Sequence, residues 1–277
     1  MIFYILKIIK INKMPGLLPS LTNIGNTCFI NAGMHMIMSI LTHDAVDSKI
    51  VDMKLLEFIC KCYFKDKMEY IREWFAKVNT NYKSGNQFDS QEFVIQIINS
   101  LYKNNKLFKF SFFRYISCSC NKGLKVNKTN ELIFQLPTLD SKGKSLIEWD
   151  NCIEHYLKHE HIGSCNQCKQ PKHTWNEIES VSKYIFVSFN RYNNKLQKVN
   201  TPISPPLVWN CNGNKYRLLS SIIHSGSLES GHYTSINLVN NKTHYYFYND
   251  STMKKMESLD ELYFYLNQSY LILYAQV

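Results

Sequence analysis

The sequence predicts an α+β fold, because helical and strand-like patterns occupy different parts of its 277 residues. Apolar residues recur at helical spacing through most of about the first 100 residues. Short aromatic and β-branched runs bounded by turn residues dominate about the last 90. Because such segregation is typical of helices packed against a sheet, we expect a helical N-terminal part, a β-rich insert and a C-terminal sheet.

The start of the chain is interpreted as a dispensable extension. Residues 1–13 are apolar but interrupted by lysines, and they are shorter than the ~20 residues that a membrane span requires. They also lack the small-residue cleavage site of a signal peptide. Because recognisable motifs begin only near Pro15, we expect Met14 to be the working start.

Helices are predicted for four segments of the N-terminal part, where apolar residues recur every three or four positions. The fourth segment opens with Asp89 and Glu92, which stand in the first turn, where carboxylates complement the helix dipole. The predicted helices span residues 29–41, 55–64, 68–78 and 89–101.

Strands are predicted for most of the remaining chain, which contains short runs rich in aromatic and β-branched residues between turn signals. One helical stretch, residues 145–157, interrupts this pattern. The predicted strands span residues 110–118, 131–136, 183–189, 216–224, 233–238, 244–248 and 270–274.

Length and composition suit one large domain or two small ones, in a reducing compartment. A hydrophobic fraction of 45% in a chain of this length allows a sizeable core without disulfide support. The nine cysteines are an odd count, and two pairs are spaced like metal ligands, which indicates a reducing compartment such as the cytoplasm or nucleus. The net charge of +10 comes from scattered lysines, so we do not expect nucleic-acid binding.

Cys28 is the first candidate catalytic residue. It follows a turn and directly precedes an apolar helical run. The positive end of the helix dipole favours the thiolate form there, and unpaired main-chain N–H groups can bind developing negative charge. These conditions suit a nucleophilic cysteine, although the same position also suits a buried structural cysteine beside a turn.

A nucleophilic cysteine needs a base, and the base needs a residue that orients it. His232, which follows a glycine and begins a strand, is the better base candidate, and His224 is its competitor. Asn249 and Asp250 end a later strand, and either could accept a hydrogen bond from the imidazole and fix its tautomer. The order cysteine, histidine, then asparagine or aspartate is that of papain-like proteases.

Three sequence motifs, in the order in which they occur along the chain, make it resemble the ubiquitin-specific proteases. They surround Cys28, the acidic helix start at Asp89, and His232, and a closing strand adds a further match. The resemblance runs from about Pro15 to the last residues of the sequence. The matching segments are residues 22–31, 87–93, 224–226, 231–233, 246–250 and 270–274.

The resemblance implies a role for each site residue. Cys28 would be the nucleophile, His232 the general base and Asn249 the third member of the triad. The neighbouring Asp250 would share or replace that third role. Asn23 would donate a hydrogen bond to the oxyanion together with the Cys28 main-chain N–H, and such a donor contributes about 3–4 kcal/mol to transition-state stabilisation.

The implied fold is that of a papain-like cysteine protease with a helical thumb, β-rich fingers and a β-sheet palm. A single catalytic domain over residues 14–277 would divide into a thumb (about 14–108), fingers (about 109–182) and a palm (about 183–277). The ubiquitin tail would lie in the thumb–palm cleft. The implied activity is thiol-dependent, cofactor-free hydrolysis of the isopeptide or peptide bond after the last glycine of ubiquitin, by a monomer that acts on ubiquitinated proteins.

Four residues are expected to hold the ubiquitin tail, which ends in Gly-Gly and carries arginines. Asp89 and Glu92, three residues apart on one helical face, offer carboxylates to the arginines. Gln87 offers hydrogen bonds to the tail backbone, and Tyr233 adjoins the predicted base. The two acidic residues also have a plainer interpretation, since they complement the helix dipole whether or not they bind substrate.

Two cysteine pairs in the predicted fingers suggest a structural zinc site, which the resemblance also implies. Cys165 and Cys168 have the usual knuckle spacing, whereas Cys118 and Cys120 are one residue closer. Four thiolates hold Zn²⁺ tetrahedrally at ~2.3 Å, and the alternative is a decayed site with four free cysteines. Possible substitute ligands are His161 and His173, and the cysteines expected to be packing residues are Cys60, Cys62, Cys152 and Cys211.

Two other functions remain open on the sequence. One is a catalytically silent ubiquitin-binding relative that acts as an interaction module, but the chain retains Cys28, His232, Asn249 and Asn23, which argues against it. The other is a zinc-ribbon nucleic-acid-binding protein. The charge and the cysteine pairs allow that function, but it leaves the motifs around the nucleophile and the base unexplained.

Overall fold

The computed structural model describes residues 17–43, 47–83, 85–118, 120, 125–140, 142–158, 160–193, 195–227, 230–239 and 244–277. The predicted extension at residues 1–13 and the predicted start at Met14 lie outside these ranges. Among the helices that the structure describes, none is both long enough and apolar enough to cross a membrane.

The described residues of the N-terminal part form four helices, in the segments where the periodicity predicts them. They are α1 (Cys28–His43), α2 (Met53–Phe64), α3 (Met68–Val78) and α4 (Ser90–Leu101). Asp52 precedes α2 and Asp89 precedes α4, and each carboxylate accepts hydrogen bonds from first-turn N–H groups. Helix α1 is buried from residue 28 to residue 41, so it lies at the centre of the helical layer.

A small four-stranded antiparallel sheet follows the helices. Its strands, in the order β2-β1-β5-β4, are β1 (Phe110–Cys118), β2 (Lys125–Glu131), β4 (Glu160–Ser164) and β5 (Pro171–Ser180). Between β2 and β4 the chain forms β3 (Ile133–Pro137) and α5 (Trp149–Leu157). The predicted strand at 131–136 therefore combined the end of β2 with β3. The predicted helix at 145–157 starts late, because Ser145 pairs with Leu139 in an isolated bridge.

The large sheet has eight strands in the order β11-β10-β9-β8-β12-β6-β3, with β7 paired to β8. Its pairs are antiparallel except for β3 with β6, so one strand from the stretch predicted as fingers lies in this sheet. Helix α6 (Leu259–Leu266) lies between its last two strands in sequence. These strands are β6 (Tyr184–Asn190), β7 (Val208–Cys211), β8 (Asn214–Gly226), β9 (Gly231–Val239), β10 (His244–Asn249), β11 (Thr252–Lys255) and β12 (Ser269–Gln276).

The two faces of the large sheet carry separate hydrophobic cores. Alternation along β12 directs Leu271 and Leu273 to the face covered by helices α1–α4. Ile272 and Tyr274 face the opposite core, which includes residues of α5 and α6. Helix α1 packs against β8 and β9, so the helix that begins at Cys28 lies beside the strand that carries the predicted base. These layers confirm the predicted α+β class.

Candidate active site

The turn before α1 presents Cys28 as the first residue of the helix. Gly25 has φ +95°, a left-handed conformation that glycine adopts without strain, and Asn26 has φ +54°. The Asn23 side-chain oxygen accepts hydrogen bonds from Gly25 N at 3.0 Å and Thr27 N at 3.2 Å. The turn therefore fixes the start of α1, where main-chain N–H groups have no helical acceptor.

His232 and Asn249 lie on neighbouring strands and are hydrogen bonded. His232 stands in β9 and Asn249 at the end of β10, and His232 Nε2 is 2.6 Å from Asn249 Oδ1. The Asp250 carboxylate is farther from the same nitrogen, at 3.9 Å. When Nε2–H donates to Asn249, Nδ1 is the ring nitrogen left to accept a proton from a thiol.

Asp250 bonds mainly to the segment around Cys28. Its carboxylate oxygens accept hydrogen bonds from the side-chain amides of Asn23 at 2.9 Å and Asn31 at 2.8 Å. Its main-chain oxygen accepts a further bond from Leu21 N at 3.0 Å. These bonds join the end of β10 to both sides of the turn before α1. They also fix the orientation of the Asn23 amide, which has a second N–H to offer.

Gln87 contacts both Cys28 and the residue before His232. Its Nε2 is 3.6 Å from Cys28 Sγ and donates to the Gly231 main-chain oxygen, and its Oε1 accepts from Gly231 N at 3.0 Å. The predictions placed Gln87 on the substrate tail and missed its contact with Cys28. The two residues are 59 positions apart, and no local pattern connects them.

A cleft of about 320 Å³ lies beside these residues. Of the predicted tail-binding residues, Gln87, Asp89 and Tyr233 line it, and Glu92 is not part of its lining. One Asp89 carboxylate oxygen accepts hydrogen bonds from the hydroxyls of Tyr270 at 2.7 Å and Tyr233 at 3.4 Å, and the other caps α4. Burial and the nearby Asp89 charge raise the pKa of Glu92.

His224, the competing base candidate, is packed into the wall of the same cleft. Burial lowers its pKa to about 4, and its Nδ1 is 3.3 Å from the Tyr192 hydroxyl. Gly231 lies so close that an added Cβ would be 2.1 Å from His224 Nε2, so this position requires glycine. Of the two histidines, it is His232 that bonds to Asn249.

The four cysteines of the predicted metal site meet at one end of the small sheet. The Sγ atoms of Cys118, Cys120, Cys165 and Cys168 all lie within 4.8 Å of one another. Tetrahedral coordination at ~2.3 Å needs sulfurs ~3.8 Å apart, so the four thiols fit a structural zinc ion despite the close spacing of the first pair. Main-chain hydrogen bonds from Cys168 and Gln167 lower the pKa of the Cys165 thiol, which favours the ligating thiolate.

The two substitute metal ligands and the four cysteines predicted to be packing residues lie outside this cluster of four thiols. Four sulfurs complete a tetrahedral shell, so coordination does not require the substitute ligands His161 and His173. Burial raises the pKa of the other structural thiols, as expected of packing residues. These thiols belong to Cys60, Cys62, Cys152 and Cys211.

Comparison with known proteins decides the family. The sequence profile of the family described as "Ubiquitin carboxyl-terminal hydrolase" matches residues 20–274. The chain belongs to this family. This match to the ubiquitin carboxyl-terminal hydrolase family spans the predicted site residues from Asn23 to Asp250 and confirms the predicted membership of the ubiquitin-specific proteases.

Two curated relatives of this ubiquitin carboxyl-terminal hydrolase chain are each 26% identical to it over 158 residues. They are Ubiquitin carboxyl-terminal hydrolase 5 of Saccharomyces cerevisiae and Ubiquitin carboxyl-terminal hydrolase 27 of Homo sapiens. The alignments cover 46% and 45% of this chain, respectively. They cover only 19% of the yeast protein and 35% of the human protein, so the similarity concerns a minor part of each relative.

Solved structures share the fold of this ubiquitin carboxyl-terminal hydrolase chain along its whole length. A SAGA DUB module of Ubp8, Sgf11, Sus1 and Sgf73 bound to monoubiquitin matches with a TM-score of 0.74 and 18% identity, over 100% of this chain and 74% of that chain. The same module bound to ubiquitin aldehyde matches with a TM-score of 0.73, 18% identity and the same coverage. The predicted papain-like α+β fold is therefore confirmed.

Proposed function

We propose that this chain is a thiol-dependent deubiquitinase that hydrolyses the bond after the C-terminal glycine of ubiquitin. The observation that carries the proposal is the hydrogen bond of 2.6 Å between His232 and Asn249, on strands that pack beside the helix beginning at Cys28. Family membership and the shared fold support it. Its partners are ubiquitin and ubiquitinated proteins.

In the first half of the reaction, His232 Nδ1 takes the Cys28 proton and the sulfur attacks the carbonyl carbon of the last glycine. The new S–C bond pushes the carbonyl electron pair onto oxygen. When that pair returns, the C–N bond breaks, and the imidazolium gives its proton to the leaving lysine amine. In the second half, His232 accepts a proton from water while the hydroxyl attacks the thioester. The C–S bond then breaks, the departing sulfur takes the proton from the imidazolium, and free ubiquitin is released.

Oxyanion stabilisation comes from two N–H groups near the nucleophile. The Cys28 main-chain N–H lies at the helix start, and the second Asn23 amide hydrogen is oriented by the bond that the first makes to Asp250. One donor of this kind is worth about 3–4 kcal/mol in the transition state. The Asn249 side chain keeps the imidazole in the tautomer that leaves Nδ1 unprotonated.

The substrate tail lies in the cleft lined by Gln87, Asp89 and Tyr233. The Asp89 carboxylate offers a charge partner for a tail arginine, and tyrosine hydroxyls hold it in place. The cleft lies between the proposed thumb (about 14–108) and palm (about 183–277), with fingers at about 109–182. The protein acts as a monomer inside the cell. Its nine cysteines all lie in the described ranges and none is in a disulfide, which supports a reducing compartment.

Hydrolysis of a ubiquitin–aminomethylcoumarin conjugate tests the proposed function. Cys28→Ala should abolish release of the fluorophore, because no other group forms the thioester, while binding of ubiquitin persists. Cys62→Ala, which changes a buried cysteine of α2, is the matched control and should retain turnover. Turnover in the Cys28→Ala variant would refute the proposal. A wild-type protein that binds ubiquitin without turnover would instead be the catalytically silent relative.

A further inference from the structure

The Gln87 side chain joins the two sides of the cleft next to Cys28. Its amide donates to the Gly231 main-chain oxygen and accepts from Gly231 N at 3.0 Å, and this pair of hydrogen bonds is named the Gln87 latch. The same Nε2 is 3.6 Å from Cys28 Sγ. Cys28 is only 2% exposed, so the latch adjoins a nucleophile that solvent hardly reaches.

Gly231 has an open main-chain edge. It stands opposite Gly226 in the β8–β9 hairpin, and the next pair is joined by the bond from Ser227 N to Ser230 O at 2.8 Å. Bonded and non-bonded pairs alternate along an antiparallel ladder, so Gly231 directs its N–H and C=O away from β8. On the other side, β10 pairs with β9 only from Ser235 onward, so no described strand covers this edge.

The Gln87 amide occupies the place of a peptide group at this edge. A peptide that adds to a sheet edge exchanges an N–H and a C=O with the residue opposite. A primary amide carries the same donor and acceptor, and Gln87 makes both bonds to the one residue Gly231. The main-chain N–H and C=O of Gly231 are therefore already hydrogen bonded to the Gln87 side chain of the protein itself.

We propose that the Gln87 latch is a stand-in for the substrate, and that an extended peptide tail reaches Cys28 by displacing the Gln87 amide from Gly231. The inference rests on the proposed function, since it names how that substrate enters. The tail takes over both hydrogen bonds at the Gly231 edge. Main-chain pairing at this edge therefore selects an extended peptide before any bond is cleaved, and Gln87 is a specificity-determining residue.

Alkylation of Cys28 by iodoacetamide measures the latch without ubiquitin. The alkylation rate is followed by mass spectrometry of the Cys28 peptide. It is measured at a pH high enough that the rate no longer increases with pH. If the latch is closed in about nine of ten molecules, Gln87→Ala should raise this rate about tenfold and lower KM for ubiquitin–aminomethylcoumarin by a similar factor. Gln96→Ala, a glutamine of α4 that bonds to Ser100, is the matched control and should leave both values unchanged.

Gln87→Glu provides a second variant of nearly unchanged size. It cannot donate to the Gly231 oxygen, so it should also accelerate alkylation, which separates opening of the latch from misfolding of the alanine variant. Unchanged alkylation and KM in both variants would overturn the proposal, as would a fall in kcat with unchanged alkylation. Faster alkylation in a protein that does not hydrolyse ubiquitin conjugates would support the latch and reject the proposed function.

Discussion

Asn249 and Asp250 are neighbours in the chain, but their side chains bond to different parts of the site. Asn249 Oδ1 is 2.6 Å from His232 Nε2. The Asp250 carboxylate accepts from the amides of Asn23 and Asn31 and lies 3.9 Å from the imidazole. At the scale of single residues, the geometry favours Asn249 for orienting the proposed base His232 and Asp250 for holding the turn before Cys28.

Paired alanine substitutions should separate these two roles. Asn249→Ala should lower kcat by up to about 100-fold, since a misoriented base loses much of its acid–base contribution. It should change Tm little. Asp250→Ala should lower both kcat and Tm, because two amides lose a charged acceptor and each such bond is worth about 1.5–3 kcal/mol. Calorimetry and fluorogenic turnover measure the two effects.

The opposite pattern would reverse the assignment. An Asp250→Ala variant with unchanged Tm but strongly reduced kcat, together with nearly normal turnover in Asn249→Ala, would make Asp250 the orienting residue. The sequence motif gave the third role to Asn249 and left Asp250 able to share or replace it, because the direction of the Asp250 side chain depends on the turn that follows the strand, where Asp250 has φ +48°.

At the scale of elements, helix α1 carries a buried polar stripe. Asn31, His35 and Ser39 are spaced four residues apart and therefore lie on one side of the helix. Each has a partner on another element: Asn31 bonds to Asp250, His35 Nδ1 is 2.7 Å from the Tyr63 hydroxyl, and Ser39 donates to an asparagine of β9. Because buried polar groups need these partners, the stripe fixes how α1 is placed against its neighbours.

His35 should give the protein an acid-sensitive stability. Burial lowers its pKa from 6.5 to about 3, and the packed neighbours Tyr63 and Tyr248 carry no charge near neutral pH. Below pH 6.5 the unfolded chain therefore binds a proton that the folded protein does not, so stability falls as the pH drops. His35→Gln should flatten this decline in urea unfolding between pH 7 and 5. Parallel slopes for wild type and variant would contradict the expectation.

The sequence located the helices of the N-terminal part more accurately than the strands of the small sheet. Helices α1–α4 have an apolar face and a capping residue or turn at the start, so periodicity located them within a few residues. In the small sheet, β4, β5 and all of β2 but its last residue were not predicted, because sequences such as Lys-Val-Asn-Lys-Thr-Asn-Glu in β2 lack apolar alternation. Contacts across the site, such as that of Gln87 with Gly231, depend on tertiary packing and leave no local pattern.

At the scale of the whole molecule, the small sheet is a separate sheet from the one that carries the proposed base. Its Cys118, Cys120, Cys165 and Cys168 thiols meet at one end, whereas Cys28 and His232 lie where the helices meet the large sheet. Many of its side chains are exposed, so its strands contribute little apolar burial beyond the phenylalanines of β1. A structural zinc ion held by these four thiols would supply stability that such a sheet lacks.

Loss of the metal should therefore unfold the small sheet while the site persists. Purified protein should contain about one zinc per chain, and Cys165→Ser should lose it and lower Tm, because structural zinc contributes about 10 kcal/mol or more to folding. Cys211→Ser, a buried cysteine outside the cluster, should keep its zinc. Elemental analysis measures the zinc content, and calorimetry measures Tm. A wild-type protein that contains no zinc and has the same Tm as Cys165→Ser would contradict the prediction.

Strand β12 lies between β8 and β6 and is the link between the two halves of the large sheet. Among the described strands, the half that carries His232 and Asn249 is therefore paired with β6 and β3 through residues 269–276. During synthesis on the ribosome, Cys28 emerges long before this strand, and His232 and Asn249 emerge shortly before it. Because the two halves of the large sheet cannot pair until this strand is made, we expect the proposed hydrolysis to become possible only once residues 269–276 are in place.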